Sequence, residues 1–270
     1  MATFFGEILS VHSRAVEEAE EDENEEDEEI LKELDETREV HLEWYQSKSN
    51  LMQCTNLIIA VGRNAASFLS VYVLTSANWE AVGHASLSNA GNQNICGQTS
   101  IEPACVFYRN KDIPAVILCK ISGYIEEDQQ FQWTEKVFGC FKQNGLSVTV
   151  LSDSPVAEYK NIDYASSSST PFLLCLQTNS STKNPPCPLL EQPNIFTGIQ
   201  AAVLSHCQVN QIPAVAYQCY SDAISPDSIT METYKRAFTS VGDIKVGPLP
   251  SADIINKFIK TNQIQSNLYI

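Results

Sequence analysis

A chain of 270 residues with 43% apolar and 9% aromatic side chains has material for one or two domains, and a body of this length buries roughly 70% of its unfolded surface. Its net charge of −16 argues against duplex DNA or anionic membrane as the main ligand, because those need lysine and arginine gathered on one face. No run approaches the about 18 apolar residues of a membrane span, and "MATFFGEILSVHSR" lacks the positive start, long apolar stretch and cleavage site of a signal peptide.

The charge is concentrated in one place. Residues 17–36, "EEAEEDENEEDEEILKELDE", hold 14 carboxylates and one lysine, which leaves −3 for the other 250 residues. Such a run repels itself and buries little, so a disordered acidic tract is expected over 17–29. Residues 30–46 carry Ile30, Leu34, Leu42 and Tyr45 with weak helical periodicity. "NLIIAVG", 56–62, reads as a strand buried on both faces and closed by a turn glycine, and "RNAASFLSVYVLTS" follows at helix length. Further strands are expected at 104–108, 114–124, 146–151, 171–177 and 212–220.

Helices are expected between several of these strands. Residues 127–143 place Phe131, Phe138 and Phe141 on one face, with acids at the start and a lysine near the end, in line with the helix dipole. Residues 195–209 put Ile199, Ala202, Val203, His206 and Val209 on one stripe. Ser251 can cap a last helix, 251–262, whose Ile254, Ile255, Phe258 and Ile259 face inward. Two Ser/Asn/Gly/Pro-rich stretches, 86–100 and 178–188, read as surface loops. The fold class expected is therefore α/β: a layered, mostly parallel sheet flanked by helices. The organisation expected is an N-terminal segment 1–50, a single α/β domain 51–262, and an extended, flexible tail 263–270.

Chemistry has little support. Nine cysteines, an odd number, sit mostly in apolar contexts, as at Cys105, Cys119, Cys175 and Cys219, and read as reduced cytoplasmic thiols that behave as small hydrophobes. No pair has zinc-finger spacing, so neither metal nor cofactor is expected. "AVGRNA" occupies the place of a phosphate loop but has one glycine where a dinucleotide turn or P-loop has several; Arg63 could assist an anion there. His206 beside Cys207 suggests a Cys–His pair, but neighbours on a helix point about 100° apart. Glu126, Glu127 and Asp128 read as a helix start.

The end "QIQSNLYI", 263–270, has no apolar periodicity and reaches about 26 Å when extended. It could therefore enter a pocket on a partner. Burying Leu268 and the Tyr269 ring is worth roughly 3–5 kcal/mol, and a carboxylate–lysine contact about 1.5–3. Ordering the residues costs about 1–2 kcal/mol each. The tail alone should bind weakly, and a second contact must supply the hold.

Leu268, Tyr269 and Ile270 match the hydrophobic–tyrosine–any-residue (HbYX) terminus of proteins that dock between proteasome alpha subunits. Together with "TFFGE", "EEDQQFQWTEKVFG" (126–139), "CPLLEQPNI" (187–195) and "AAVLSHCQVNQIPAVAYQCYSD" (201–222), the chain closely resembles the proteasome assembly chaperone 1 family over nearly its whole length. That resemblance implies a nucleoside-phosphorylase-like fold without catalysis and a heterodimer with proteasome assembly chaperone 2. It also implies docking of the tail on the alpha ring of the 20S core particle, where the pair promotes ring formation and blocks off-pathway ring dimers. A cytoplasmic chain with some endoplasmic-reticulum association is expected. Two other readings stay open: an adaptor whose Leu268-x-Ile270 end is a PDZ ligand, and an enzyme acting on nucleosides.

Overall fold

The computed structural model describes residues 39–45, 51–75, 77–87, 103–160, 170–222, 226–239, 244, 246–247 and 255. The acidic tract, the 88–102 stretch, the tail and all of the expected last helix but residue 255 lie outside the described residues. The elements below belong to one unit, Val40–Leu87 with Gln98–Ile270; a second, 1–39 with 88–97, lies almost wholly outside them.

Eight strands form one sheet: β1 (Val40–Trp44), β2 (Asn56–Val61), β3 (Trp79–Leu87), β4 (Cys105–Asn110), β5 (Val116–Ile121), β6 (Ser147–Pro155), β7 (Phe172–Gln177) and β8 (Ala214–Ser221). Their spatial order is β1-β3-β4-β5-β2-β6-β8-β7. Parallel pairing holds through the centre, β5-β2-β6-β8. Antiparallel ladders extend the sheet on both sides, β1-β3-β4-β5 and β8-β7. The layered α/β class read from the sequence is thus present, with the parallel character confined to the middle of a mixed sheet.

The central strands bury residues on both faces because helices cover both. Leu57 and Ile59 of β2 enter one core while Ile58 and Ala60 enter the other, as a side-chain period of two requires. The first face is covered by α2 (Glu127–Phe138), through Trp133, Val137 and Phe138, and by α3 (Gly198–Val209), through Ile199, Val203 and Cys207. The second is covered by α1 (Arg63–Phe68), which runs on into the wider π turn Leu69–Val73, and by α4 (Ser228–Thr239) with Met231, Tyr234 and Phe238.

Three expectations need correction. Part of the helix expected over 30–46 is β1: Val40 is buried, His41 and Glu43 are exposed, and Trp44 lies 4.9 Å from the Phe107 ring. Alternation and a β-branched or aromatic residue at each end favour a strand over one weak helical stripe. Of the three phenylalanines expected on one face, Phe138 and Phe141 are buried, but Phe131 is 72% exposed, and Trp133 and Val137 of α2 turn inward with Phe138. On α3, Val209 is 81% exposed, and Cys207 occupies the core position one turn beyond Val203. Strand β3 and helix α4 were not anticipated. The latter had a legible start, since Asp227 Oδ1 accepts the backbone N–H of Ile229 (2.9 Å) and Thr230 (3.0 Å), as an N-cap does.

Candidate functional site

Ligands of open α/β sheets bind outside the carboxyl ends of the strands, where neighbouring crossovers leave in opposite directions. Here that place lies at β2, followed by α1 on the second face, and its neighbour β5, followed by α2 on the first; β6 ends beside β2 on the other side. Gly62 makes the turn out of β2 at φ 92°, a left-handed conformation that glycine adopts without strain. Its missing side chain has a second use. A Cβ at Gly62 would lie 2.3 Å from Oδ1 of Asp153, the residue with which β6 begins to emerge from the core.

Asp153 fills the place an anion would take. Its carboxylate accepts the Ala65 backbone N–H at 3.3 Å and is also bonded by the backbone and side chain of Asn64. Arg63, the residue suggested as an anion contact, instead exerts its charge on this carboxylate. A phosphate would meet a fixed negative charge at the amides it needs. The phosphate-loop reading of "AVGRNA" therefore fails for a positive structural reason.

Burial pushes the Asp153 carboxyl above its ordinary value, against the pull of the Ala65 and Asn64 bonds and the Arg63 charge. The folded chain thus binds this proton more readily than the unfolded chain. The stabilising contribution is full below the unfolded value of 3.8 and is lost as pH rises through the higher folded value. In Asp153→Asn this loss is absent. Stability of the variant relative to the parent, from urea unfolding at a series of pH values, is expected to increase as pH leaves the acid range. A pH-independent difference would contradict this account of the carboxylate.

The Cys–His suggestion also dissolves. His206 packs at a tilt on Phe138, ring centroids 4.6 Å apart, and places Nδ1 3.5 Å from Glu135 Oε1, so it seals the contact between α2 and α3. Burial pushes its pKa down, with Glu135 opposing, and favours the neutral ring. Cys207 points into the core, where burial pushes its thiol up to about 12. Glu127 and Asp128 lie in the first turn of α2, with Glu126 just before it, as a helix start requires. Among the described residues, no three His, Cys, Asp or Glu side chains gather as a metal site, and no helix is long and apolar enough to cross a membrane.

Leu268, Tyr269 and Ile270 lie outside the described residues, but the path toward them is partly visible. Ile244 is buried, and Val246 and Ile255 pack against the second-face core. The Gly247 N–H donates to the Tyr72 carbonyl at 2.8 Å, with no room for a side chain beyond it: a Cβ would lie 3.0 Å from that oxygen. Ile255 is helical and packs on this core, as the sequence suggested for that residue.

A family model described as "Proteasome assembly chaperone 4" matches residues 1–270. "Proteasome assembly chaperone 1" of Danio rerio is 49% identical over 278 residues, covering 100% of both chains. The protein of the same name from Homo sapiens is 42% identical over 286 residues, covering 99% of both. The chain belongs to the proteasome assembly chaperone 1 family. The family is named for a chaperone and not for an enzyme. Two solved structures share the fold at low identity. Pyrococcus furiosus PbaA, an archaeal homolog of proteasome-assembly chaperone, has TM-score 0.57 and 13% identity, covering 84% of this chain and 93% of its own. Pyrococcus furiosus PbaB, an archaeal proteasome activator, has TM-score 0.55 and 11% identity, covering 84% and 98%.

Proposed function

We propose that this chain is a chaperone for assembly of the 20S proteasome alpha ring, acting as a heterodimer with proteasome assembly chaperone 2. In this reading the body, 51–262, rests on the ring while the flexible tail, 263–270, enters a groove between alpha subunits. Leu268 supplies buried area, Tyr269 fixes register, and the Ile270 carboxylate meets a basic side chain. The pair blocks off-pathway ring dimers and leaves on maturation. The observation that carries the reading is full-length kinship to proteins named for proteasome assembly. The Asp153 carboxylate supports it from another side, because it occupies the position where an enzyme of this layered class would hold an anion. A binder needs surface and not a reactive centre, and no reactive thiol or histidine emerges from the pairs suggested by the sequence.

Affinity purification of the full-length chain from cells, with stoichiometry read by native mass spectrometry, tests the partners. The expected companions are one copy of proteasome assembly chaperone 2 and incomplete sets of alpha subunits. Recovery of a PDZ-domain protein in their place would favour the adaptor reading, and recovery of neither would contradict the proposal.

A further inference from the structure

The outer edge of β7 carries a pair of thiols that the assembly role leaves unused. A stretch of the loop after β7 folds back along this edge and forms a parallel bridge, Cys175 opposite Leu189. The Cys175 N–H donates to the Pro188 carbonyl at 3.0 Å, and the Leu190 N–H donates to the Cys175 carbonyl at 2.8 Å. The Cys175 sulfur lies 3.6 Å from the Cys187 carbonyl oxygen and 3.5 Å from that of Pro188. A bend at residues 186–187 brings the Cys187 thiol within hydrogen-bonding reach of the Cys175 thiol. The Cys187 side chain is partly exposed, whereas Cys175 is fully buried.

We propose that Cys175 and Cys187 are a modification site: hydroperoxide joins them in a reversible disulfide that staples the 178–190 segment to the edge strand. Once the pair has lost its first proton, the second passes from Cys187 to Cys175, and the solvent-facing Cys187 sulfur, now the thiolate, attacks peroxide, forming an S–O bond and breaking the O–O bond. The products are a sulfenic acid and hydroxide, which takes the thiol proton to become water. The Cys175 sulfur then attacks the Cys187 sulfur; the S–S bond forms, the S–O bond breaks, and the departing hydroxide takes the second thiol proton. Two thiols are oxidised, and one peroxide is reduced to two waters. A dithiol reductant reverses the change.

The contact prepares this pair and not the core cysteines. A hydrogen bond from Cys187 draws the Cys175 thiol below its ordinary value, against burial, and the same bond holds the Cys187 proton more firmly. The first proton therefore leaves the pair more easily than it leaves an isolated buried thiol. Cys54, Cys105, Cys207 and Cys219 are fully buried, so peroxide does not reach them, whereas Cys187 is partly exposed. Neither the pair nor its chemistry depends on the chaperone reading. The consequence is local: the disulfide would fix the segment that already occupies backbone groups at the middle of the edge, so a strand from another chain could not add there.

The test treats the purified full-length protein with hydrogen peroxide, blocks remaining thiols with iodoacetamide after unfolding, and maps peptides without reduction. The expected result is loss of two alkylatable thiols and a linked peptide joining Cys175 to Cys187, lighter than its parts by two hydrogens. Dithiothreitol should restore both thiols. In Cys187→Ser, which alters a partly exposed side chain, the link should vanish and Cys175 should stay alkylatable. Three results would overturn the proposal: both thiols remain free, Cys187 goes on to sulfinic acid beside an unmodified Cys175, or either links instead to another cysteine.

Discussion

Tyr269→Ala is expected to weaken binding of the full-length chain, paired with its sister chaperone, to alpha-ring intermediates by about 10- to 100-fold. Removing a buried ring forfeits roughly 1.5–3 kcal/mol, and each 1.4 kcal/mol is a factor of about ten. The fold should be untouched: circular dichroism and melting temperature are expected to match the parent. The same substitution separates two ways of holding a chain end. A PDZ groove takes the last residue and the third from the end by strand addition and leaves the one between pointing away, so it would tolerate the change. A pocket that reads the ring would not. Surface plasmon resonance against immobilised alpha-ring intermediates decides between them, and unchanged affinity would remove Tyr269 from the docking mechanism.

Trp133→Ala is expected to cost about 3–5 kcal/mol of stability, a large part of the about 5–15 kcal/mol that holds a typical domain together. Trp133 is fully buried at the middle of α2, in the core that includes Cys105, Phe107, Phe138 and Phe141. No other fully buried side chain in that core is as large, so alanine leaves a cavity between helix and sheet that the backbone can close only in part. The comparison is two residues away. Phe131 is 72% exposed on the same helix, and Phe131→Ala should change stability by less than about 0.5 kcal/mol. Urea unfolding reads both. A Trp133→Ala cost below that of Phe131→Ala would mean that α2 does not pack as described.

These two aromatic residues show where sequence reading succeeded and where it stopped. Three strands were legible because each is a nearly continuous apolar run: "NLIIAV" is β2, and "VILCKI" and "FLLCLQ" are β5 and β7. Burial on both faces leaves no ambiguity of period there. The helix over 127–138 was legible from its acidic start and from the inward Phe138, but its first turns were assigned the wrong aromatic residue. Phe131 and Trp133 are two apart, and only tertiary packing decides which points inward. At the antiparallel side of the sheet, β1 and β3 carry His41, Glu43, Glu80 and His84 among their apolar residues, which blurs the strand signal. His84 lies 3.7 Å from Glu43 across the β1–β3 pair, a contact that no local pattern announces.

The candidate sites divided in the same way. The single glycine of "AVGRNA" argued against a phosphate loop. What occupies the turn came from Asp153, 91 residues later in the chain and brought close by the parallel pairing of β2 with β6. Its one local signal was an acid at the carboxyl end of an apolar strand. His206 was placed as a packing residue from its helical stripe, and the Phe138 ring beneath it gives that packing its partner. Cys175 looked like one more core hydrophobe. Its nearness to Cys187 depends on a loop folding back on an edge strand, which is a non-local event. The proposed tail motif, Leu268, Tyr269 and Ile270, is visible without a fold, because the docking role proposed for it needs only consecutive residues.

The central claim is that this chain helps alpha rings form. It is tested most directly by mixing proteasome alpha subunits with the heterodimer and counting species by native mass spectrometry. With the intact heterodimer, single alpha rings should accumulate and ring dimers should be suppressed. A chain ending at residue 267 should leave subunits unassembled or in paired rings, and equal ring yield from both chains would contradict the account.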